Sequence, residues 1–139
     1  MTLVSEAAKL YVPARRVWET IGDFVEVARW HPSVHESEED WDGAQRLRKL
    51  DILAGEPLVE RLENHDDDAM RYSYTIVSGP LPVRDYESTL SVHRDDATSC
   101  TVEWNGRFAP DGAPEAEAVE LVRGIYRKGL EHLRFTLGG

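Results

Sequence analysis

Apolar residues change their spacing partway through this chain, and that change restricts the fold more than any other feature. From Ser33 to Phe108 they alternate with a period of two, the spacing of half-buried strands. Six strands follow: Val34–Trp41, Gln45–Leu53, Leu58–Asn64, Met70–Ser78, Arg84–His93 and Ser99–Phe108. The turns between them are short, from Asp42-Gly43 to the segment Asp95–Thr98, so the strands should pair as an antiparallel meander. After Pro110–Pro114 the period becomes 3.6. Ala118, Val122, Ile125, Tyr126, Gly129, Leu130 and Leu133 then share one stripe of a long amphipathic helix.

The segment before the meander supplies the remaining elements. Thr2–Val12 reads as a further strand, Pro13–Ile21 as a helix, and Phe24–Trp30 as a second short helix stopped by Pro32. The predicted fold is therefore α+β: a curved seven-stranded antiparallel sheet around a long C-terminal helix, with two short helices after strand 1. A chain of 139 residues has room for one core, so residues 1–139 are expected to form a single domain.

Successive turns of a meander fall at opposite ends of the sheet. Trp30-His31-Pro32, Gly55-Glu56-Pro57, Gly79–Val83 and Pro110–Pro114 should gather at one end. The acidic turns at Asp66-Asp67-Asp68 and Asp95-Asp96 should lie at the other. Leu81 and Val83 suit a rim over an apolar mouth, or else simple packing on the end of the core.

Alternation also assigns the inward faces. Tyr72, Tyr74 and Ile76 share one phase, as do Tyr86, Leu90 and Val92, and as do Cys100, Val102, Trp104 and Phe108. The phase of Leu58 and Leu62 places Glu60 inward, and that of Leu50 and Ile52 places Arg48 inward. The weaker phase of Val34 points Glu36 the same way. Opposite charges on adjacent strands suggest an ion pair in a polar pocket, because an unpaired buried charge costs several kcal/mol. A bulge that shifts the phase by one would instead turn Glu60 or Arg48 to solvent.

The formal net charge of −10 argues against nucleic acid and against anionic membrane surfaces. No apolar run reaches the roughly 20 residues that span a bilayer, and Met1–Leu10 lacks the apolar core of a secretory signal. The lone Cys100 lies in a strand, which fits a buried thiol in a reducing cytoplasm. His31 and His35 are four apart, but Pro32 denies them a shared helical face, and no third metal ligand has suitable spacing. Neither a phosphate-binding glycine loop nor a legible Ser-His-Asp order is present. No metal and no cofactor is expected.

Several segments together resemble a known family. They are Val12-Pro13-Ala14, Val17-Trp18, Ile21-Gly22-Asp23-Phe24, Trp30-His31-Pro32, Glu60-Arg61-Leu62, Gly79-Pro80-Leu81-Pro82-Val83 and Tyr126–Leu133. The chain resembles polyketide cyclase/dehydrase-type members of the START and birch-pollen-allergen-like (SRPBCC) superfamily over nearly its whole length. That resemblance implies a helix-grip fold, a cavity between sheet and C-terminal helix, and a mouth gated by the loop at Gly79–Val83. It carries over no catalytic residue, since the superfamily has no shared catalytic set.

Two functions follow. The first is binding, for transport or sensing, of a small hydrophobic or amphipathic molecule. Its contacts are assigned to Trp30, Arg48, Glu60, Tyr72, Tyr74, Leu81, Tyr86, Trp104, Val122 and Tyr126. The second is a cyclase-like enzyme, with Glu60 as base, Arg48 or Tyr74 stabilising enolate charge, and His31 a further acid-base group. The reading preferred for His31 is structural, orienting the loop after the second helix. The protein is expected to be a monomer or homodimer.

Overall fold

The computed structural model describes residues 1–52 and 55–138. The first strand, β1 (Thr2–Leu10), leads through Pro13 into α1 (Ala14–Ile21). Proline at this position has φ preset for a helix start and lacks an amide proton to leave unpaired. Ala14, Val17, Trp18 and Ile21 are the buried positions of α1, one face of a two-turn helix.

The second helix expected over Phe24–Trp30 contracts to a 3₁₀ turn at Glu26–Arg29. Two bonds explain this. The Asp23 carboxylate accepts the Val25 N–H at 3.0 Å, a local bond that competes with helix initiation. The Phe24 carbonyl, which a helix would use four residues on, accepts from Arg48 instead.

The meander comprises β2 (Glu36–Asp42), β3 (Gln45–Asp51), β4 (Leu58–Asp66), β5 (Arg71–Ser78), β6 (Val83–Asp96) and β7 (Ser99–Pro110). With β1 they form one antiparallel sheet in the order β1-β7-β6-β5-β4-β3-β2. β2 starts two residues later than expected, because the Val34 N–H bonds back to the His31 carbonyl in a turn. Alternation therefore does not carry from Val34 into the strand, and Glu36 is exposed rather than inward. The expected end of β3 at Leu53 lies outside the described residues, as does Ala54 of the following turn. β2 is an edge of the sheet and carries Glu36, Glu38, Glu39, Asp40 and Asp42.

The final helix, α2 (Glu115–Leu137), has 23 residues and is about 35 Å long. Ala118, Val122, Tyr126, Gly129, Leu130 and Leu133 are buried along it. Irregularities in the β4–β5 and β6–β7 ladders bend the strands. A sheet closing around one long terminal helix is the helix-grip fold.

The two ends of the sheet differ as alternation predicts. At one end the Asp111 N–H donates to the Pro82 carbonyl at 2.9 Å, tying the β5–β6 loop to the approach to α2. At the other, Asp67 in the β4–β5 turn accepts from Trp18 Nε1 at 3.0 Å and, through its carbonyl, from Arg15 at 2.9 Å. The acidic turn thus anchors α1. Among the described residues, no helix is long and apolar enough to cross a membrane.

Candidate functional site

Arg48 on β3 and Glu60 on β4 face each other directly across the ladder. They are 1% and 3% exposed. A register shift does fall beside Glu60, between β4 and β5, yet both side chains remain inward. Arg48 Nε donates to Glu60 Oε1 at 2.9 Å. Its Nη1 donates to the Phe24 carbonyl at 2.6 Å and to the Tyr72 hydroxyl at 3.2 Å. The guanidinium centre also lies 4.2 Å from the Phe24 ring and 4.6 Å from the Tyr74 ring. A planar, weakly hydrated cation suits this setting, where an ammonium would not. Among the described residues, the buried side-chain atoms without a hydrogen-bond partner are Trp30 Nε1 and Ser99 Oγ, neither of which belongs to this pair. Burial pushes the Glu60 carboxyl above the usual carboxylate range, with the Arg48 charge pulling it back.

A chain of hydroxyls stands beside this pair. Ser88 Oγ donates to the Asn105 carbonyl at 2.9 Å, because a carbonyl has no proton to give. Tyr126 therefore donates to Ser88, at 3.0 Å, and Tyr86 donates to Tyr126. Trp104 Nε1 is shared between Tyr74 Oη and Ser88 Oγ, both at 3.1 Å. Ser88 thus accepts twice and donates once, which saturates it. The Tyr74 hydroxyl accepts from Trp104. Burial raises the pKa of Tyr72, Tyr74, Tyr86 and Tyr126, so all four are neutral phenols at pH 7. Gly106 makes the chain possible: a Cβ there would collide with the Tyr126 hydroxyl.

His31 is buried where the sheet, the 3₁₀ turn and α2 converge. Its Nδ1 accepts the Ser33 N–H at 3.1 Å, so Nε2 carries the proton and donates to the Ile125 carbonyl at 2.7 Å. Burial lowers its pKa, and it is neutral at pH 7. Gly129 on α2 admits the ring, since a Cβ there would lie 2.7 Å from His31 Cδ2. With both nitrogens engaged by backbone, His31 has none left for acid-base chemistry in this conformation.

These groups surround a cavity of about 30 Å³. It is lined by Val27, His31, Val34, Arg48, Leu50, Ile52, Leu58, Glu60, Tyr74, Leu81, Tyr86, Trp104 and Ile125. That volume holds about one water molecule. A second, outward-facing groove of about 260 Å³ lies over it, lined by Ser33, Ile52, Leu81, Glu120, Leu121, Gly124, Ile125 and Lys128. Ile52, Leu81 and Ile125 belong to both spaces and form a wall one side chain thick. Among the described residues, no three His, Cys, Asp or Glu side chains gather around a point that would suit a metal ion.

Of the residues assigned to ligand contact from sequence, Arg48, Glu60, Tyr74, Leu81, Tyr86 and Trp104 line the cavity. Trp30, Tyr72, Val122 and Tyr126 do not. Tyr72 stands behind the Arg48 guanidinium, and Tyr126 is stacked on Trp104 with ring centroids 4.6 Å apart. Trp30 packs against Trp104 and His31, with its Nε1 buried and unpartnered, and Val122 lies in the helix–sheet core. The sequence reading passed over Ser88, although it sits on the inward phase between Tyr86 and Leu90. It also passed over the Phe24 carbonyl, for which no sequence pattern gives a signal.

A sheet curled around a terminal helix, with polar side chains lining a small, mostly apolar space, places this protein among the helix-grip proteins with a ligand-binding fold. Residues 1–138 match the family described as polyketide cyclase / dehydrase and lipid transport, and the chain belongs to that family. Among solved structures it is similar to the protein XoxI from Bacillus cereus, at 31% identity and a TM-score of 0.92, over 99% of this chain and 96% of that one. A Bacillus thuringiensis protein is also 31% identical, with a TM-score of 0.89 and 98% of each chain covered. The Zhui aromatase/cyclase from Streptomyces sp. R1128 shares the fold at 18% identity, with a TM-score of 0.77 over 98% of this chain and 93% of that one.

Proposed function

We propose that this protein binds a small, largely apolar molecule between the sheet and α2, and that the molecule enters by displacing Ile52, Leu81 and Ile125. The observation that carries this reading is the layered space itself. An outer groove of about 260 Å³ is separated from a polar-tipped inner cavity by three apolar side chains from three different segments. Drug-sized ligands occupy roughly 300–1,000 Å³, so the inner cavity as it stands is a closed state that must expand. Leu81 sits in a Gly-Pro-Leu-Pro loop and is half-buried, which suits a side chain that swings. Cys100, a free thiol buried in β7, fits work in a reducing cytoplasm.

The test has two arms. Native mass spectrometry followed by denaturing extraction should reveal a co-purifying small molecule. The neutral fluorophore N-phenyl-1-naphthylamine should brighten on titration into the purified protein. Gly124→Trp, which fills the outer groove from a position with open space around it, should weaken the probe about tenfold, or 1.4 kcal/mol. A clean apo mass together with no fluorescence rise would overturn the reading.

A second reading rests on the buried Glu60 carboxyl at the cavity wall. A carboxylate with raised proton affinity, beside Arg48 and the Tyr74 hydroxyl, has the parts for proton abstraction next to a carbonyl and for stabilising the resulting enolate. The family description includes cyclases and dehydrases of polyketides. Turnover of a carbonyl substrate that survives Glu60→Gln unchanged would remove this reading.

A further inference from the structure

We infer that the outer groove holds an anionic head group at Lys128. The ligand is then a small amphiphile whose charged end stays at the mouth while its apolar body passes the wall of Ile52, Leu81 and Ile125. This rests on the binding reading above and adds the charge and orientation of the ligand.

The groove is apolar along its length and charged at its ends. Glu120, Leu121, Gly124, Ile125 and Lys128 all line it, the spacing of one face of α2. Glu120 and Lys128 stand about 12 Å apart along the helix axis. Between them lie Leu121, 36% exposed, and Gly124, where a Cβ would meet nothing within 4 Å. A large apolar side chain left in the open beside vacant space marks room for an apolar body.

The two end charges are not equivalent. Glu120 accepts from Arg123 at 3.3 Å, so its charge is balanced on the helix surface. Of the three lysines, Lys9 and Lys49 lie 3.7 and 3.6 Å from Asp95 and Asp40, whereas Lys128 forms no ion pair among the described residues. Ser33, which also lines the groove, belongs to the same end. His31 accepts the Ser33 N–H at 3.1 Å and donates to the Ile125 carbonyl at 2.7 Å, which fixes Ser33 beside the helix turn that carries Lys128. An ammonium at that end suits a carboxylate or another singly charged acid group.

The rest of the molecule sharpens the preference. With a net charge of −10 the surface repels anions in general, so one is retained only where a local cation outweighs that field. The wall sets the orientation. Ile52, Leu81 and Ile125 border both spaces, so what passes inward is apolar and the charged end stays with water and Lys128. Carried inside, that charge would lose its hydration beside Glu60, whose own counter-charge, Arg48, is already engaged at 2.9 Å. A groove of about 260 Å³ suits a single-chain or single-ring-system amphiphile and not a two-chain membrane lipid.

Two fluorophores built on one body test this: N-phenyl-1-naphthylamine, which is neutral, and 8-anilino-1-naphthalenesulfonate, which carries one negative charge. The reading is the ratio of their dissociation constants at pH 7.5. Lys128→Gln should move that ratio about threefold or more towards the neutral probe, the size of a solvent-exposed charge contact. Lys128→Arg, which keeps the charge, should rescue it. Lys9→Gln removes the same charge at the acidic end of the sheet and should leave the ratio unchanged. Raising the salt from about 0.05 M to about 0.5 M should bring the wild type towards Lys128→Gln. Lys128 is exposed, so its replacement leaves the fold standing, and melting temperatures verify that. A ratio unmoved by Lys128→Gln, an equal shift from Lys9→Gln, or binding of the neutral probe alone overturns the head-group inference and leaves binding intact. No binding of either fluorophore overturns both.

Discussion

Arg48 and Glu60 each give up several kcal/mol of hydration on entering the core, and what returns it is their bond to each other plus the Phe24 carbonyl and the aromatic rings around the guanidinium. Such a pair is fragile to half-removal and tolerant of full removal. Arg48→Met alone should destabilise the fold by about 3–5 kcal/mol, because Glu60 is left buried without a counter-charge. The double change Arg48→Met with Glu60→Leu should recover most of that loss or exceed the wild type. Urea unfolding of the two single variants and the double variant checks this, and additive losses would refute it. The pair was legible in the sequence, since the apolar phases of Leu50 and Leu58 turned both charges inward. Its third partner was not: a backbone carbonyl at Phe24 leaves no trace in residue type, and only folding brings it to β3.

At the scale of elements, α2 carries two glycines whose surroundings differ. A Cβ at Gly129 would meet the His31 ring at 2.7 Å and Trp104 at 3.1 Å, whereas one at Gly124 would meet nothing within 4 Å. Gly124→Ala should therefore stabilise by about 1 kcal/mol through helix preference alone. Gly129→Ala should lose about 1–2 kcal/mol once that gain is set against overpacking. Thermal melts of both variants test the pair, and a stabilised Gly129→Ala would mean that His31 is free to move. The long helix and the hairpins were readable because amphipathic period and turn residues are local signals. The second short helix lies within the expected span but is shortened to a 3₁₀ turn, because Asp23 and Arg48 withdraw backbone groups that a longer helix needs, and one of those is remote in sequence. Placement of Tyr72 and Tyr126 behind the cavity wall was equally out of reach. Alternation tells which side of a sheet a residue faces, and helical stripes tell which face is buried, but neither tells depth within the core.

Taken whole, the molecule has four phenols sealed between sheet and helix, and their burial sets its behaviour in base. Because Tyr72, Tyr74, Tyr86 and Tyr126 hold pKa values above the ordinary 10, the unfolded chain releases these protons first as pH climbs. The stability they contribute is complete below about pH 10 and is lost as pH rises beyond it. Tyrosinate absorbance and far-ultraviolet circular dichroism, followed together from pH 8 to 12, should show these four ionising only as the fold is lost. Ionisation of all four with the dichroism intact would contradict a sealed core. The sheet itself is open, with β1 and β2 at its margins. Five of the seven β2 residues are acidic, and among the described residues two of them are ion-paired to the neighbouring strand, Glu39 to Arg46 and Asp40 to Lys49. Were two copies to zip together along that margin, like charge would be stacked rung upon rung, so the strand that leaves backbone groups unsatisfied also repels the neighbour that would satisfy them. The acidity of this strand thereby guards against fibril growth at one of the two margins where an unfinished sheet invites it.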